Sequence, residues 1–218
     1  MAEKRISRLR RKVANAKRYT TVVADPPWPY RADKALGASK AHRPNSYDRD
    51  TNTVSSRLRY GAMSLDEIKA LSVARHTAKN AHLYLWFTNA FAREAHDVAA
   101  SWGFTPKTIL TWVKMKANGT PSMKMGYYFR GATEHILFCV RGKLRLHADR
   151  ALPTAYLWPR TPHSVKPEAF YELVEEASPG PYLELFARRA RPGWTVWGNE
   201  VEANAGNQGQ LPRKGHHE

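Results

Sequence analysis

Apolar residues fall along this chain in short runs divided by polar stretches, and the runs have two different periods. Residues 20–24 (Thr-Thr-Val-Val-Ala), 81–87 (Ala-His-Leu-Tyr-Leu-Trp-Phe), 104–112, 134–140, 182–186 and 194–197 are rich in β-branched, aromatic and aliphatic side chains. Those compositions predict buried strands. The near-continuous apolarity of 81–87 suits a sheet covered on both faces. Ser64-Leu65-Asp66-Glu67 carries a capping-box signature and predicts a helix start, with the helix running to Leu71. Residues 89–102 predict a second helix, stopped by Gly103. Residues 168–177 predict an amphipathic third, stopped by Ser178-Pro179-Gly180. Residues 143–162, interrupted by Pro153, Pro159 and Pro162, read as irregular. Strands alternating with helices predict an α/β fold built on a doubly wound, mostly parallel sheet.

Two long stretches lack any period. Residues 29–60 carry Arg31, Lys34, Lys40, Arg43, Arg49, Arg57 and Arg59, with Tyr30, Tyr47 and Tyr60 among them. A polar loop of that length inside a domain is usually functional or disordered; its position makes it a candidate nucleic-acid lid. Residues 114–133 mix Lys114, Lys116, Lys124 and Arg130 with Met123, Met125, Tyr127, Tyr128 and Phe129. Basic and aromatic residues in one loop suit contact with unstacked nucleotides, although such aromatics also pack on cores. Residues 1–18 hold eight basic side chains against Glu3, and read equally as a phosphate-binding arm or a solvated terminus. From residue 202 the composition turns to Asn, Gly, Gln, Lys and His, which reads as a disordered tail. The expected organisation is therefore an arm over 1–18, one domain over 19–201, and a tail over 202–218.

Net charge sharpens this picture. With 35 Lys and Arg against 19 Asp and Glu, the formal charge is +16, which points to a polyanionic partner, nucleic acid first. No apolar run reaches the length of a membrane span and there is no secretory signal, so a membrane is excluded and a cytoplasmic location expected. The single cysteine, Cys139, lies in an apolar run and reads as a buried thiol; no Cys/His cluster has zinc-site spacing. His82 and His96 read as strand-end and surface-helix residues, not as ligands. No Gly-x-Gly-x-x-Gly or Walker loop opens a helix, so neither a nicotinamide nor a nucleoside triphosphate is indicated.

The candidate chemistry sits at Asp25-Pro26-Pro27-Trp28, directly after the first strand. Two prolines end the ladder, because each lacks an N–H and fixes its own φ. They hold a carboxylate, a carbonyl and an indole at the carboxyl end of a strand, where ligands bind in open α/β sheets. Asp25 and the Pro26 carbonyl are two acceptors suited to the two N–H groups of an exocyclic adenine amine. Accepting from both localises a lone pair otherwise delocalised into the ring. Trp28 offers a face for a flipped base. The plain alternative is a strand-ending turn with Trp28 as ordinary core.

Several segments in order resemble the MT-A70 family of S-adenosylmethionine-dependent adenine N6-methyltransferases, over residues 19–200. They are Asp25-Pro26-Pro27-Trp28, Gly131-Ala132-Thr133-Glu134-His135, His163-Ser164-Val165-Lys166-Pro167, Glu184-Leu185-Phe186-Ala187-Arg188, and Gly193-Trp194 through Gly198-Asn199. The resemblance implies a Rossmann-like class I methyltransferase fold in permuted order, with the catalytic motif before the cofactor-binding segments. It implies catalytic roles for Asp25, Pro26, Pro27 and Trp28. It implies an S-adenosylmethionine site of Asp25, Lys166, Glu184, Arg188, Asn199 and Glu200, with Lys166 near the methionine carboxylate and Glu184 accepting from ribose hydroxyls or the cofactor amine. Tyr30, Lys114 and Arg130 are the candidate substrate contacts, and no metal is expected. Where the family often has Asn-Gln, this chain has Asn199-Glu200, and Ala187 replaces a usual glycine. DNA is the expected substrate by analogy with bacterial and phage members; RNA and a silent nucleic-acid-binding subunit are the alternatives.

Overall fold

The computed structural model describes residues 18–29, 63–124, 128–162 and 165–198. The basic arm, almost all of the 29–60 loop, Tyr30, Asn199, Glu200 and the tail lie outside the described residues. Along the described chain run β1 (Tyr19–Ala24), α1 (Leu65–Lys69), α2 (Val73–His76), β2 (Thr77–Phe87), a 3-10 turn (Asn89–Phe91) and α3 (Ala92–Ser101). They are followed by β3 (Thr105–Met115), β4 (Thr133–Arg141), β5 (Ala155–Pro159), α4 (Glu168–Ala177), β6 (Tyr182–Leu185) and β7 (Trp194–Trp197).

The described strands form one sheet in the order β5-β3-β4-β2-β1-β6-β7. The pairs β1–β2, β1–β6, β6–β7 and β3–β5 are parallel, and β4 runs against both of its neighbours. A single reversed strand leaves the sheet mostly parallel, as the alternation of elements predicts. After β1 the chain pairs β2 on one side and later returns to pair β6 on the other. The end of β1 is therefore a topological switch point, and Asp25 is the first residue beyond it.

Strand alternation sends side chains into two separate cores. Val22, Ala24, Leu83, Leu85, Phe87, Leu137, Cys139, Leu183 and Leu185 pack with Ile68 of α1, Val73 of α2, and Ala95, Val98 and Ala99 of α3. Val23, Tyr84, Trp86, Leu110, Trp112, Ile136, Phe138 and Val196 pack with Phe170, Tyr171, Leu173 and Val174 of α4. Both faces of the central strands are thus dry, which is why β2 is apolar without a break over 83–87. Cys139 is buried, and burial pushes its thiol up to about 12.

The local signals work as expected where they are strong. Ser64 Oγ accepts from the Glu67 N–H at 3.2 Å while Glu67 Oε2 accepts from the Ser64 N–H at 2.8 Å, closing the capping box of α1. Gly142 adopts φ +69° in the turn after β4, and a Cβ there would stand 2.2 Å from Asn80 Oδ1. Among the described residues no helix is long and apolar enough to cross a membrane.

Four differences from the sequence reading have physical causes. Residues Ala155–Pro159, expected to be irregular, form β5 at the sheet edge, parallel to β3. Edge position explains both the terminal proline and the exposed Leu157 that hid the strand's pattern. Strand β2 starts at Thr77, earlier than its apolar run, because Thr77 pairs with Tyr19 ahead of an irregularity in register. Strand β3 extends to Met115, into the expected loop, because Val113, Lys114 and Met115 pair with β5. His82 is not at a strand end. Its ring is buried, with Nδ1 2.8 Å from Ser178 Oγ, which also lies 2.7 Å from the Tyr84 hydroxyl.

Candidate active site

With every strand but β4 pointing one way, the carboxyl ends of β1, β2, β3, β5 and β6 meet the amino end of β4 along one edge. A pocket of about 800 Å³ opens there. Asp25, Pro26, Pro27 and Trp28 form one wall; Trp86, Phe87, Trp112, Lys114 and Glu134 form the floor and far side; Val165, Lys166, Phe186 and Arg188 close the remainder. Residues far apart in sequence converge because strand ends converge.

The prolines do more than stop a strand. The Pro26 carbonyl accepts from the Trp28 N–H at 2.8 Å, a tight turn centred on Pro27, and the Pro27 carbonyl accepts from the Met63 N–H at 3.0 Å. Pro26 therefore keeps one of its two acceptor sites for another donor. Trp28 is 3% exposed, its Nε1–H donates to the Trp86 carbonyl at 3.1 Å, and its ring stacks on Phe91 at 5.2 Å. One face of the indole is thus already covered, and Trp28 stands as a fixed wall instead of an open platform.

Behind Asp25 lies a buried ionic cluster. Lys166 Nζ sits 3.3 Å from Asp25 Oδ2 and 3.2 Å from Glu184 Oε1, with side-chain exposures of 7%, 35% and 3% respectively. The Tyr171 hydroxyl donates to Glu184, 3.0 and 3.1 Å from its two oxygens. Burial opposes the charge on Lys166, but the Asp25 and Glu184 carboxylates, with Tyr171, outweigh it and hold the ammonium above the ordinary lysine range. Burial likewise raises Tyr171, so its phenol stays a donor. Alternation along β6 explains Glu184: Leu183 and Leu185 take one core, so Glu184 faces α4 and Tyr171. It stands behind Lys166 and does not line the pocket.

Three residues of the site had no role in the sequence reading, although two of them lie in its motifs. Tyr171 is one, hidden as an ordinary apolar-face position of a helix. Glu134 is the second; it forms a short ion pair with Lys114, whose ammonium also lies 4.7 Å over the Trp112 ring. The signal for that pair was present, since Trp112 and Glu134 are opposed in register across β3 and β4, but register is invisible in one sequence. The third is Phe186, with φ +62°. A bulky side chain in the left-handed region costs on the order of 1–3 kcal/mol and persists where surrounding structure enforces it. Here the kink lets the Ala187 N–H bond the Trp197 carbonyl at 3.0 Å and directs both Phe186 and Arg188 to the pocket. Gly198 completes this packing, since a Cβ there would lie 2.2 Å from the Ala187 carbonyl oxygen.

Of the expected substrate contacts, Lys114 lines the pocket in its pair with Glu134. Arg130 is exposed on the adjoining loop, its Nε donating to the Lys124 carbonyl at 3.3 Å. Arg188 is half-buried in the wall. Among the described residues no group of three or more His, Cys, Asp or Glu is placed to hold a metal ion.

A mostly parallel sheet whose switch point carries this motif defines a Rossmann-like α/β enzyme of the methyltransferase class. The MT-A70 family model matches residues 19–200, and the chain belongs to that family. It is 31% identical over 192 residues to the Type II methyltransferase M.MunI of Mycoplasma sp, an alignment covering 86% of this chain and 80% of that protein. It is 28% identical to the N6-methyladenosine RNA methyltransferase MTA1 of Cryphonectria parasitica, covering 86% of this chain and 53% of the relative. It is 30% identical to the human N(6)-adenine-specific methyltransferase METTL4, covering 85% and 38%. The chain thus spans most of the first relative and about half or less of the other two.

Proposed function

We propose that this MT-A70 methyltransferase moves a methyl group from S-adenosylmethionine to the N6 amine of adenine in DNA. The observation that carries the reading is the Asp25-Pro26 pair at the switch point, clamped from behind by Lys166 and opening on a pocket of suitable size. Donor chemistry suits the cofactor. Asp25 offers a carboxylate for an ammonium or hydroxyl, Lys166 and Arg188 offer cations for a carboxylate, and Phe186 and Pro26 offer apolar surface. When bound, S-adenosylmethionine supplies a methyl group on a sulfonium, whose positive charge makes a good leaving group.

The chain's own residues then orient and localise. Asp25, held through Oδ2 by Lys166, accepts from one amine N–H. The remaining acceptor site of Pro26 takes the other. Both contacts favour a pyramidal nitrogen with its lone pair directed outward, so little base strength is needed and orientation does most of the work. The departing proton goes to Asp25 or to water. Trp28, fixed by Trp86 and Phe91, bounds the base. Glu184 and Tyr171 hold Lys166, and through it Asp25.

DNA is favoured over RNA by analogy with the bacterial Type II methyltransferase, matched at 31% identity against 28% for the fungal RNA enzyme. The test is labelled methyl transfer to matched duplex DNA, single-stranded DNA and RNA, followed by nucleoside analysis. N6-methyldeoxyadenosine is the expected product. N6-methyladenosine alone would move the substrate to RNA, and no product from the folded protein on any of them would overturn the reading.

A further inference from the structure

The loop from β3 to β4 leaves the pocket wall and comes back to it. Ser122, Met123 and Lys124 line the pocket. The loop base is laced: the Ser122 N–H donates to the Lys114 carbonyl at 2.6 Å, the Lys124 N–H to Gly131 at 2.8 Å, and the Lys114 N–H to Ala132 at 2.9 Å. Arg130 Nε adds its bond to the Lys124 carbonyl. Phe129 hangs from this pinned base, two residues from Gly131 and so within about 7 Å of it along the backbone.

Phe129 is 92% exposed, and Tyr128 beside it is 82% exposed. Adjacent aromatics exposed to water forgo the burial that such side chains ordinarily provide, and exposed apolar surface of this kind marks a contact site. Charge identifies the partner. With Lys114 paired to Glu134, residues 116–133 still carry Lys116, Lys124 and Arg130 and no Asp or Glu, a setting that favours a polyanion with stacking bases over an apolar protein surface.

We propose that Phe129 is a wedge: as an adenine leaves a DNA duplex for the pocket, the Phe129 ring enters the gap in the base stack. This inference rests on the pocket's taking an adenine out of duplex DNA. Extrusion uncovers the faces of two neighbouring base pairs, and an aromatic ring inserted there restores stacking on both. A loop whose base lines the pocket is where the task requires such a ring, since the gap lies beside the extruded base. Lys116, Lys124 and Arg130 supply phosphate contacts around the ring, and the hydrogen bonds at the loop base anchor it beside the pocket.

The test uses the full chain and a DNA duplex containing one abasic position, a ready-made gap that needs no recognition sequence, against the same duplex intact. Wild-type protein should bind the abasic duplex about tenfold more tightly, as one aromatic–base stack implies. Phe129→Ala should lose that preference while binding the intact duplex as before, and Phe129→Trp should keep it. The wild type showing no preference, or Phe129→Ala retaining it, would overturn the wedge; so would an altered oligomeric state in Phe129→Ala with both affinities unchanged. Methyl transfer gives an independent readout. Phe129→Ala should slow transfer to native duplex DNA about tenfold and leave heat-denatured strands unaffected, whereas equal loss on both would also overturn the proposal. Absence of wild-type transfer to either would instead count against the adenine reading, leaving the abasic preference to be judged by itself.

Discussion

The pocket has two sides built on opposite principles. Beneath Asp25 the charged groups are paired: Lys166 with two carboxylates, and Glu184 with Lys166 and Tyr171, while the Pro26 and Pro27 carbonyls each accept a backbone N–H. On the β3–β4 loop, whose Ser122, Met123 and Lys124 line the pocket, Met123, Tyr128 and Phe129 stand exposed. Buried charge must be paired to be tolerated at all, so the first side is fixed by the fold. On the proposed reading the amine is held on the paired side and the nucleic acid is met on the exposed one.

The largest expected effect breaks the satisfied side. Lys166→Met strands Glu184, only 3% exposed, without its counter-ion, and should cost about 3–5 kcal/mol of stability by urea unfolding. Adding Glu184→Gln should recover much of that loss, because the uncompensated charge goes with it; a double variant no more stable than the single would show that packing of the lysine stem dominates. Lys166 is raised above the ordinary lysine range, so its contribution is fully present below about pH 10.4 and is lost only as pH rises through its higher folded value. The midpoint difference between wild type and Lys166→Met should therefore be flat from neutral pH to about pH 9.

Asp25→Asn comes next and separates chemistry from stability within the same cluster. Asp25 is 35% exposed, so the fold should survive while methyl transfer falls by about two to three orders of magnitude, the usual effect of removing one positioned electrostatic partner. Wild-type turnover in that variant would remove Asp25 from the mechanism. The smallest effect belongs to the open side. Lys124→Ala should leave thermal stability unchanged and reduce the slope of log binding constant against log salt by about 1, measured by anisotropy on duplex DNA. An unchanged slope would take Lys124 out of contact with phosphate.

Much of this was legible in the sequence, and the pattern of what was not is instructive. Asp25-Pro26-Pro27-Trp28 declares itself because prolines act locally, by geometry each carries alone. Ser64 and Glu67 announce their capping box for the same reason, since both partners lie within one helical turn. The β1, β2, β4 and β6 cores are readable because both faces are buried and alternation is saturated. Strand β5 was not readable, since an edge strand with Leu157 exposed and Pro159 at its end lacks the burial that writes a pattern. Trp28 could be named but not placed; its covered face depends on Phe91, far along the chain.

The sequence by itself determined the class of fold, the family's ordered motifs and the position of the Asp25 carboxylate at a strand end. Each is set by local propensity or by residues a few positions apart. Tertiary structure alone decided that Glu184 stands behind Lys166, that Tyr171 closes the cluster, that Glu134 meets Lys114, and that the base of the loop carrying Phe129 lines the pocket. Those contacts depend on register across the sheet and on which face of β6 meets α4. Register is the sum of many weak pairings made at once, and no single stretch of the chain records it.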